Sequence, residues 1–252
     1  MLTQEILQVT LRLCCACPGS KLKILTGIAT ITPDRRFIQT LPEFVRDASK
    51  SHQLELMWVW DKPLVDAQNM FAEKMVSGEY DYLLTLEDDH WGFTASMLES
   101  CIAANTHVCG IPYRSRHLPF MKIPMKYSGT TDHNGNKLYD SLNEKSGYHE
   151  GDLIGFGFTL IKSEVFRILD RPYFRLNTEK FIGVGPRATD IDFCTRLVEK
   201  GIQPVGCYDY SLPHRDITEE NYLKMLAGGI IEKQTFFSML RRNSEKLKKE
   251  RA

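Results

Sequence analysis

The sequence predicts an α/β fold in which a mostly parallel sheet is flanked by helices. Three short apolar segments have the pattern of buried strands, and two segments between them have apolar residues at helical spacing. The strands are predicted at residues 23–30, 54–60 and 82–86, and the helices at 37–49 and 64–76. An alternation of strand and helix is typical of parallel sheets, whose ligands bind beyond the carboxyl ends of the strands.

Composition indicates a soluble globular protein with one large domain as the simpler organisation. The chain has 252 residues, of which 42% are hydrophobic and 25% charged, enough to bury a sizeable core. Its 32 basic residues balance its 32 acidic ones. Because there is no net positive charge, nucleic acid is not expected as a partner.

The cysteines and the first residues favour a reduced, cytoplasmic setting. Seven cysteines occur without the spacing of a disulfide scaffold. Three lie within residues 14–17, but no second Cys/His pair follows at zinc-finger spacing, which favours packing or a disordered leader over a metal cluster. Glu5 and Arg12 interrupt the first apolar residues, which argues against a signal peptide, and no run approaches the roughly 18 apolar residues of a membrane span.

The rest of the chain continues the α/β pattern around one long excursion. Residues 112–148 are rich in turn-forming residues, with a hairpin expected at 134–136. Further helices are predicted at 94–104, 163–169 and 190–200, and further strands at 108–111, 152–161 and 204–210. We expect an N-terminal extension at 1–22, a single domain at 23–216 and a C-terminal helical extension at 217–252.

The C-terminal tail is locally basic. Residues 241–252 carry six basic and two acidic side chains, a net charge of +4. Phe236, Phe237, Met239 and Leu240 lie beside this tail. They allow weak contact with a membrane surface, although apolar residues grouped on a helix more often form core or oligomer contacts.

The strand at 82–86 ends in an unusual group of charges. Glu87, Asp88 and Asp89 follow it directly, and His90 comes next. Two like charges about 4 Å apart repel by about 1 kcal/mol in water and about 4 kcal/mol near a protein surface, and a divalent cation would reverse that effect. Carboxylate oxygens suit Mg²⁺ or Mn²⁺, and an added imidazole shifts the preference towards Mn²⁺. The simpler alternative is an acidic first turn of the next helix.

Two further groups suggest partners for this acidic strand end. If the strand continues, Glu87 and Asp89 point to one face and Asp88 to the other. His214 follows the last predicted strand and could approach Asp89 from across the crevice as a second metal ligand. Asp190 lies with Asp192 at the start of a helix. Asp190 is the candidate general base, and helix capping is the simpler alternative.

The order of these motifs resembles that of the metal-dependent GT-A glycosyltransferases, including the family-two enzymes, over residues 23–216. In that resemblance Glu87-Asp88-Asp89 stands at the DxD motif, with Asp89 as the direct metal ligand and His214 as the C-terminal histidine that completes the site. The resemblance implies a GT-A-like single domain that binds Mn²⁺ or Mg²⁺ and a nucleotide-sugar donor.

The same resemblance assigns the donor and acceptor sides. The donor residues would be Thr30, Pro33, Asp61, Gln68 and Asn69, where Gln68 replaces an arginine of the family motif, together with Glu87 and Asp88. Asp190 would be the catalytic base, with Asp192 two positions later and Thr189 in place of the family's glutamate. Gly155-Phe156-Gly157 would form a wall of the acceptor or donor-sugar site.

The resemblance implies transfer of a sugar from a nucleoside diphosphate, in the first instance UDP, to a hydroxyl of a saccharide, protein or lipid acceptor. We expect the transfer to invert the anomeric configuration, with a retaining mechanism as the alternative. Tyr113 and its basic neighbours in the excursion are expected to form either a lid over the donor or a solvated loop. Two other functions remain open. A sugar-nucleotide nucleotidyltransferase would need a glycine-rich basic loop after the first strand, and residues 31–34 contain neither glycine nor a basic residue. A non-catalytic carbohydrate-binding or nucleotide-binding protein could keep the fold without turnover.

Overall fold

The computed structural model describes residues 8–13, 21–30, 33–114, 122–131, 137–142, 144–176 and 189–215. Several predictions fall outside these residues. They are the Cys14-Cys15-Cys17 segment, the hairpin turn at 134–136, the C-terminal helices and the basic tail.

The described elements form an α/β fold with one large sheet. Its eight strands are β1 Gln8–Leu13, β2 Lys23–Thr30, β3 Gln53–Trp60, β4 Tyr82–Glu87, β5 Val108–Gly110, β10 Tyr148–Glu150, β11 Phe158–Lys162 and β12 Val205–Cys207. Two small sheets join β6 Tyr113–Arg114 to β7 Lys122–Ile123, and β8 Met125–Thr131 to β9 Lys137–Ser141. The helices are α1 Arg35–Ser51, α2 Leu64–Ser77, α3 Ala95–Ala103, α4 Val165–Ile168 and α5 Thr189–Glu199.

The large sheet is mixed, in the order β1-β3-β2-β4-β11-β5-β12-β10. Strands β2, β3, β4, β5 and β12 share one direction, because β2 pairs in parallel with β3 and β4, β11 is antiparallel to both β4 and β5, and β12 is parallel to β5. Strands β1, β10 and β11 run the other way. The predicted α/β class is confirmed, and the parallel direction holds for the strands that are joined by crossover helices.

Strand β1 lies in the segment that the sequence assigned to an N-terminal extension. It pairs antiparallel with β3, so that Gln8 lies opposite Val59 and Leu13 opposite Leu54. The alternation of apolar and polar residues in this segment is typical of a half-buried strand. The sheet therefore begins before residue 23, where the sequence placed the domain boundary.

Helices cover both faces of the sheet. On one face α1 buries Phe37, Leu41 and Phe44 in a cluster with residues of β2 and α3. On the other face Phe71 of α2 lies directly over Gly27 of β2, where an added Cβ would come within 2.5 Å of its ring. Because only glycine leaves this space, α2 packs close to the sheet. Each fully buried Phe contributes roughly 1.5 to 3 kcal/mol.

This arrangement gathers the ends of several strands at one edge. Strands β2, β3 and β4 are in parallel register, with Thr30 opposite Trp60 and Ala29 opposite Glu87. The segment after β12 returns to the same edge, where His214 forms a bridge with His90. In the described part of the chain, no helix combines the length and apolar character needed to cross a membrane.

Candidate metal centre

Asp89, His90 and His214 form a compact group at this edge of the sheet. His214 Nε2 lies 3.2 Å from Asp89 Oδ2, and His90 Nδ1 lies 3.0 Å from Asp89 Oδ1. One ligand atom from each residue lies within 4.8 Å of the other two. Asp89 and His90 are 6% and 0% exposed. One carboxylate and two imidazoles at these distances could hold a metal ion, and the predicted approach of His214 to Asp89 is confirmed.

The backbone fixes the three side chains. Strand β4 ends at Glu87, and the chain turns through Asp88 and Asp89 before His90. The amide of Arg215 donates a 2.7 Å hydrogen bond to the carbonyl of Asp89. The His90 and His214 rings stack in parallel, with 4.3 Å between centroids and 7° between planes. The group is therefore held by both the bridge between the two segments and the ring contact.

Tyr113 completes the wall of the site. Its ring meets His90 edge-on at 4.4 Å between centroids and His214 at 5.4 Å. Only 6% of its surface is exposed, so it packs beneath the site instead of forming the lid or solvated loop expected from the sequence. The side chains of the neighbouring basic residues at 114, 116 and 117 lie outside the described residues.

Two glycines make room for these rings. A Cβ at Gly157 would lie 2.7 Å from His90 Nε2, and a Cβ at Gly155 would lie 1.8 Å from the hydroxyl oxygen of Tyr113. The Gly155-Phe156-Gly157 segment, which the sequence assigned to a sugar-binding wall, therefore packs directly behind the candidate metal centre.

The electrostatic environment keeps Asp89 ionised. Although burial opposes ionisation, the hydrogen bonds with His214 and His90 hold the pKa of the Asp89 carboxyl well below its ordinary value. A carboxyl group that stays charged in a buried position is suited to ligate a cation.

Asp88 points to different partners. Burial raises the pKa of its carboxyl group, and the Thr30 hydroxyl donates a hydrogen bond to it. Glu87 is half-buried, with its carboxylate 3.9 Å from His90 Nδ1. Strand β4 ends at Glu87, so the alternation predicted for a continuing strand does not apply. In the turn Asp88 contacts Thr30, whereas Glu87 and Asp89 both lie near His90. Thr30 is used to hold Asp88, and its contact with a donor remains a prediction.

Asp34, Arg36 and Trp91 form a second contact network beside Asp88 that the sequence reading missed. The amide of Asp34 donates a 2.9 Å hydrogen bond to the carbonyl of Asp88, and its carboxylate caps α1 by accepting from the amide of Arg36. The Arg36 guanidinium bonds that carboxylate, lowering the pKa of Asp34 to about 2, and lies 3.5 Å above the Trp91 ring. Pro33 and Asp34 just before a helical pattern were the available signal of this cap.

The remaining predicted donor residues differ in accessibility. Asp61 is exposed beside Thr30, with its amide 3.0 Å from the Thr30 carbonyl and a φ of 57°. Pro33 is half-buried in the loop between β2 and α1. Gln68 is only 2% exposed, and its burial in α2 argues against contact with a ligand. The side chain of Asn69 accepts a 3.0 Å hydrogen bond from the backbone amide of Phe174 and donates a 2.8 Å hydrogen bond to the Phe174 carbonyl. It therefore joins α2 to the segment that contains Phe174.

The two candidate catalytic carboxylates at the start of α5 also differ. Asp190 is half-buried and accepts a 2.9 Å hydrogen bond from the amide of Ile191, and burial raises the pKa of its carboxyl group to about 6. Asp192 forms a 2.8 Å ion pair with Arg196 one helical turn later, which gives it a structural role. The catalytic role of each residue remains a prediction.

Helix α5 is connected to the metal centre through Phe156. The rings of Phe193 and Phe156 pack edge-on at 5.4 Å, and Phe156 lies between the two glycines behind Tyr113 and His90. Among the described residues, no direct contact joins Asp190 to Asp89. The structure brings Asp89, His90 and His214 together and leaves Asp190 as a separate carboxyl group on the adjoining helix.

Comparisons with known proteins give little further identification. No family model matches the chain, and no curated protein matches it. Among solved structures, the crystal structure of A197 from STIV is similar at 14% identity and a TM-score of 0.49, covering 77% of this chain and 85% of that one. A likeness this distant carries no argument, and the class rests on the observed α/β fold with its candidate metal centre.

Proposed function

We propose that the protein is a metal-dependent glycosyltransferase with a GT-A-like domain, which transfers a sugar from a nucleoside-diphosphate donor to an acceptor hydroxyl. The observation that carries this proposal is the convergence of Asp89 and His214 at the carboxyl edge of parallel strands. This is the part of an α/β sheet where nucleotide ligands bind.

On the donor side, the chain supplies ligands for a divalent ion, Mn²⁺ or Mg²⁺. Asp89 and His214 would hold it, while Asp88 is kept at the same edge by Thr30. When bound, such an ion neutralises the charge that develops on a diphosphate leaving group, an effect worth several kcal/mol. Exposed Asp61 and the Pro33 loop border this edge and provide polar groups for the nucleoside.

On the acceptor side, Asp190 is the base. A pKa of about 6 lies close enough to neutral pH for its carboxylate to be ionised and still accept a proton from an acceptor hydroxyl in the transition state. That hydroxyl attacks the anomeric carbon opposite the departing diphosphate, and the configuration inverts. Asp192 supports the start of α5 through Arg196.

A panel of nucleotide sugars tests this function. Full-length protein is incubated with UDP-linked and other nucleotide-linked sugars, with and without Mn²⁺, and free sugar and nucleoside diphosphate are measured. We expect Mn²⁺-dependent release from at least one donor, in the first instance a UDP-sugar, and none from the Asp89→Asn variant. Release that continues undiminished in Asp89→Asn, or no release from any donor with any divalent ion, would contradict the proposal.

A further inference from the structure

We propose that His90 is the third ligand of the metal centre, and that the resulting set of one carboxylate and two imidazoles selects a transition-metal ion over Mg²⁺. This inference deepens the proposed function, on which it rests for the use that the protein makes of the ion. It adds His90 to the two ligands, Asp89 and His214, that the resemblance implies.

The position of His90 supports this role. Its Nδ1 atom lies 3.0 Å from Asp89 Oδ1, and His214 Nε2 lies 3.2 Å from the other oxygen of the same carboxylate, Oδ2. Its Nε2 edge faces the backbone at Gly157, so Nδ1 is the nitrogen directed at the centre. The three residues satisfy the mutual distance of a metal-binding group without moving.

The surroundings of His90 hold this orientation. Gly157 leaves space for the imidazole, and Tyr113 packs edge-on against both stacked rings. Gly155 in turn leaves space for the Tyr113 hydroxyl. A side chain at Gly157 would collide with His90, and one at Gly155 would collide with Tyr113, which contacts both imidazoles. The two glycines therefore allow both imidazole rings to pack beside the Asp89 carboxylate.

The donor set decides which ions fit. Mg²⁺ prefers oxygen ligands in a near-octahedral arrangement and gives up its water reluctantly. Imidazole nitrogen suits transition-metal ions, and affinity for a given nitrogen and oxygen site rises from Mn²⁺ to Co²⁺. The site should therefore bind Co²⁺ or Zn²⁺ more tightly than Mn²⁺, and all three more tightly than Mg²⁺.

Two measurements on the full-length protein test this inference. Titration calorimetry gives the affinity for Mg²⁺, Mn²⁺, Co²⁺ and Zn²⁺, and pulsed electron paramagnetic resonance counts nitrogen ligands on bound Mn²⁺. We expect two nitrogen ligands in the wild type and one in His90→Ala. The affinity of this variant for Co²⁺ should fall by more than roughly 100-fold, because loss of a direct ligand has a larger effect than loss of a residue that only positions a ligand. His107→Ala, which removes a half-buried histidine that contacts Glu164 away from the metal centre, is the matched control.

Tyr113 provides a second variant. Tyr113→Leu should weaken Co²⁺ binding by roughly 10- to 100-fold while leaving two nitrogens on Mn²⁺, and Tyr113→Phe should retain most of the affinity, because the ring contact is preserved. Thermal unfolding without metal shows whether each variant is folded. If His90→Ala does not fold, the nitrogen count of the wild type still decides.

One nitrogen in the wild type, unchanged Co²⁺ affinity in His90→Ala, Mg²⁺ binding as tight as Co²⁺ binding, or no metal binding at all would overturn the inference. Two bound nitrogens with no turnover of any nucleotide sugar would support it while contradicting the proposed glycosyl transfer. Sugar transfer by a protein whose bound Mn²⁺ has a single nitrogen ligand would support the proposed function and contradict the role of His90.

Discussion

Asp89 lies in the candidate metal centre and Asp190 at the start of α5, and their surroundings shift the pKa values of the two carboxyl groups in opposite directions. Asp89 is bonded to two imidazoles, which hold its pKa well below the ordinary value despite burial. Within the described residues, Asp190 accepts hydrogen bonds from the backbone, and burial raises its pKa to about 6. Two carboxyl groups of one protein therefore acquire different chemistry from their neighbours: the imidazoles favour the ionised form of Asp89, whereas burial makes Asp190 a proton acceptor near neutral pH.

The largest expected effect comes from removing the charge of Asp89. Asp89→Asn keeps the shape of the side chain but removes the anion between the two imidazoles, so we expect metal-dependent binding of a nucleoside diphosphate to be lost. Calorimetry with UDP, with and without Mn²⁺, measures this. Asp66→Asn, the same change at an exposed position of α2, should bind as the wild type does. If Asp89→Asn binds UDP in the presence of Mn²⁺ as tightly as the wild type does, the charge of Asp89 is not needed for metal binding.

The second effect concerns the chemical step. Asp190→Asn should bind metal and donor normally but lose transfer by roughly 10²- to 10⁴-fold, because the proton acceptor is gone. The measurement compares turnover with donor affinity in the same preparation. Asp170→Asn, at an exposed position before α5, is the control. Normal transfer by Asp190→Asn would show that the base is another group.

The third effect is a dependence of stability on pH. The unfolded Asp190 carboxyl loses its proton near its ordinary pKa of 3.8, whereas the folded one loses it near 6. The folded state therefore holds the proton between these values, and its free energy of unfolding falls as pH rises from about 4 to about 6, by up to about 3 kcal/mol. Urea unfolding at several pH values should show that Asp190→Asn removes this fall. An identical profile in the variant would mean that Asp190 is well solvated.

The smallest effect concerns a third carboxylate near the same edge. Asp34 caps α1 and pairs with Arg36, so Asp34→Ala should lower the free energy of unfolding by about 1 kcal/mol without changing the affinity for metal. Asp34→Asn, which keeps a capping oxygen, should lose less. Denaturant unfolding and calorimetry with Co²⁺ make the two measurements. A large loss of metal affinity in Asp34→Ala would place this residue in the metal centre and extend the comparison to it.

Part of the candidate site was predictable from local patterns. A buried strand that ends in three acids indicated a cation site at Asp89, and the chain order suggested that His214 would return to it. The sequence places His90 next to the acids but does not identify it as a ligand, because local pattern cannot show that the chain turns after Glu87 and directs the imidazole back to Asp89. Tyr113 was expected at the surface, because nothing in its flanking residues reveals the space that Gly155 leaves for it.

In helix α2, by contrast, the local pattern suggested ligand contacts that the structure argues against. The motif at residues 67–69 suggested ligand contacts, but Gln68 is buried and Asn69 bonds the backbone of Phe174, which is 105 residues away in the chain. Such a contact depends on how the segment before α5 packs against α2. Local pattern carries no information about that packing.

By itself the sequence determined the α/β class, the five elements from β2 to β4 and the position of the acidic strand end, because hydrophobic periodicity and turn residues are local properties of the chain. Only the tertiary structure decided the antiparallel insertion of β11, the addition of β1 to the sheet edge and the stacking of His90 on His214. These features depend on contacts between distant segments, whose free energies are set by packing and register and not by the residues of either segment alone.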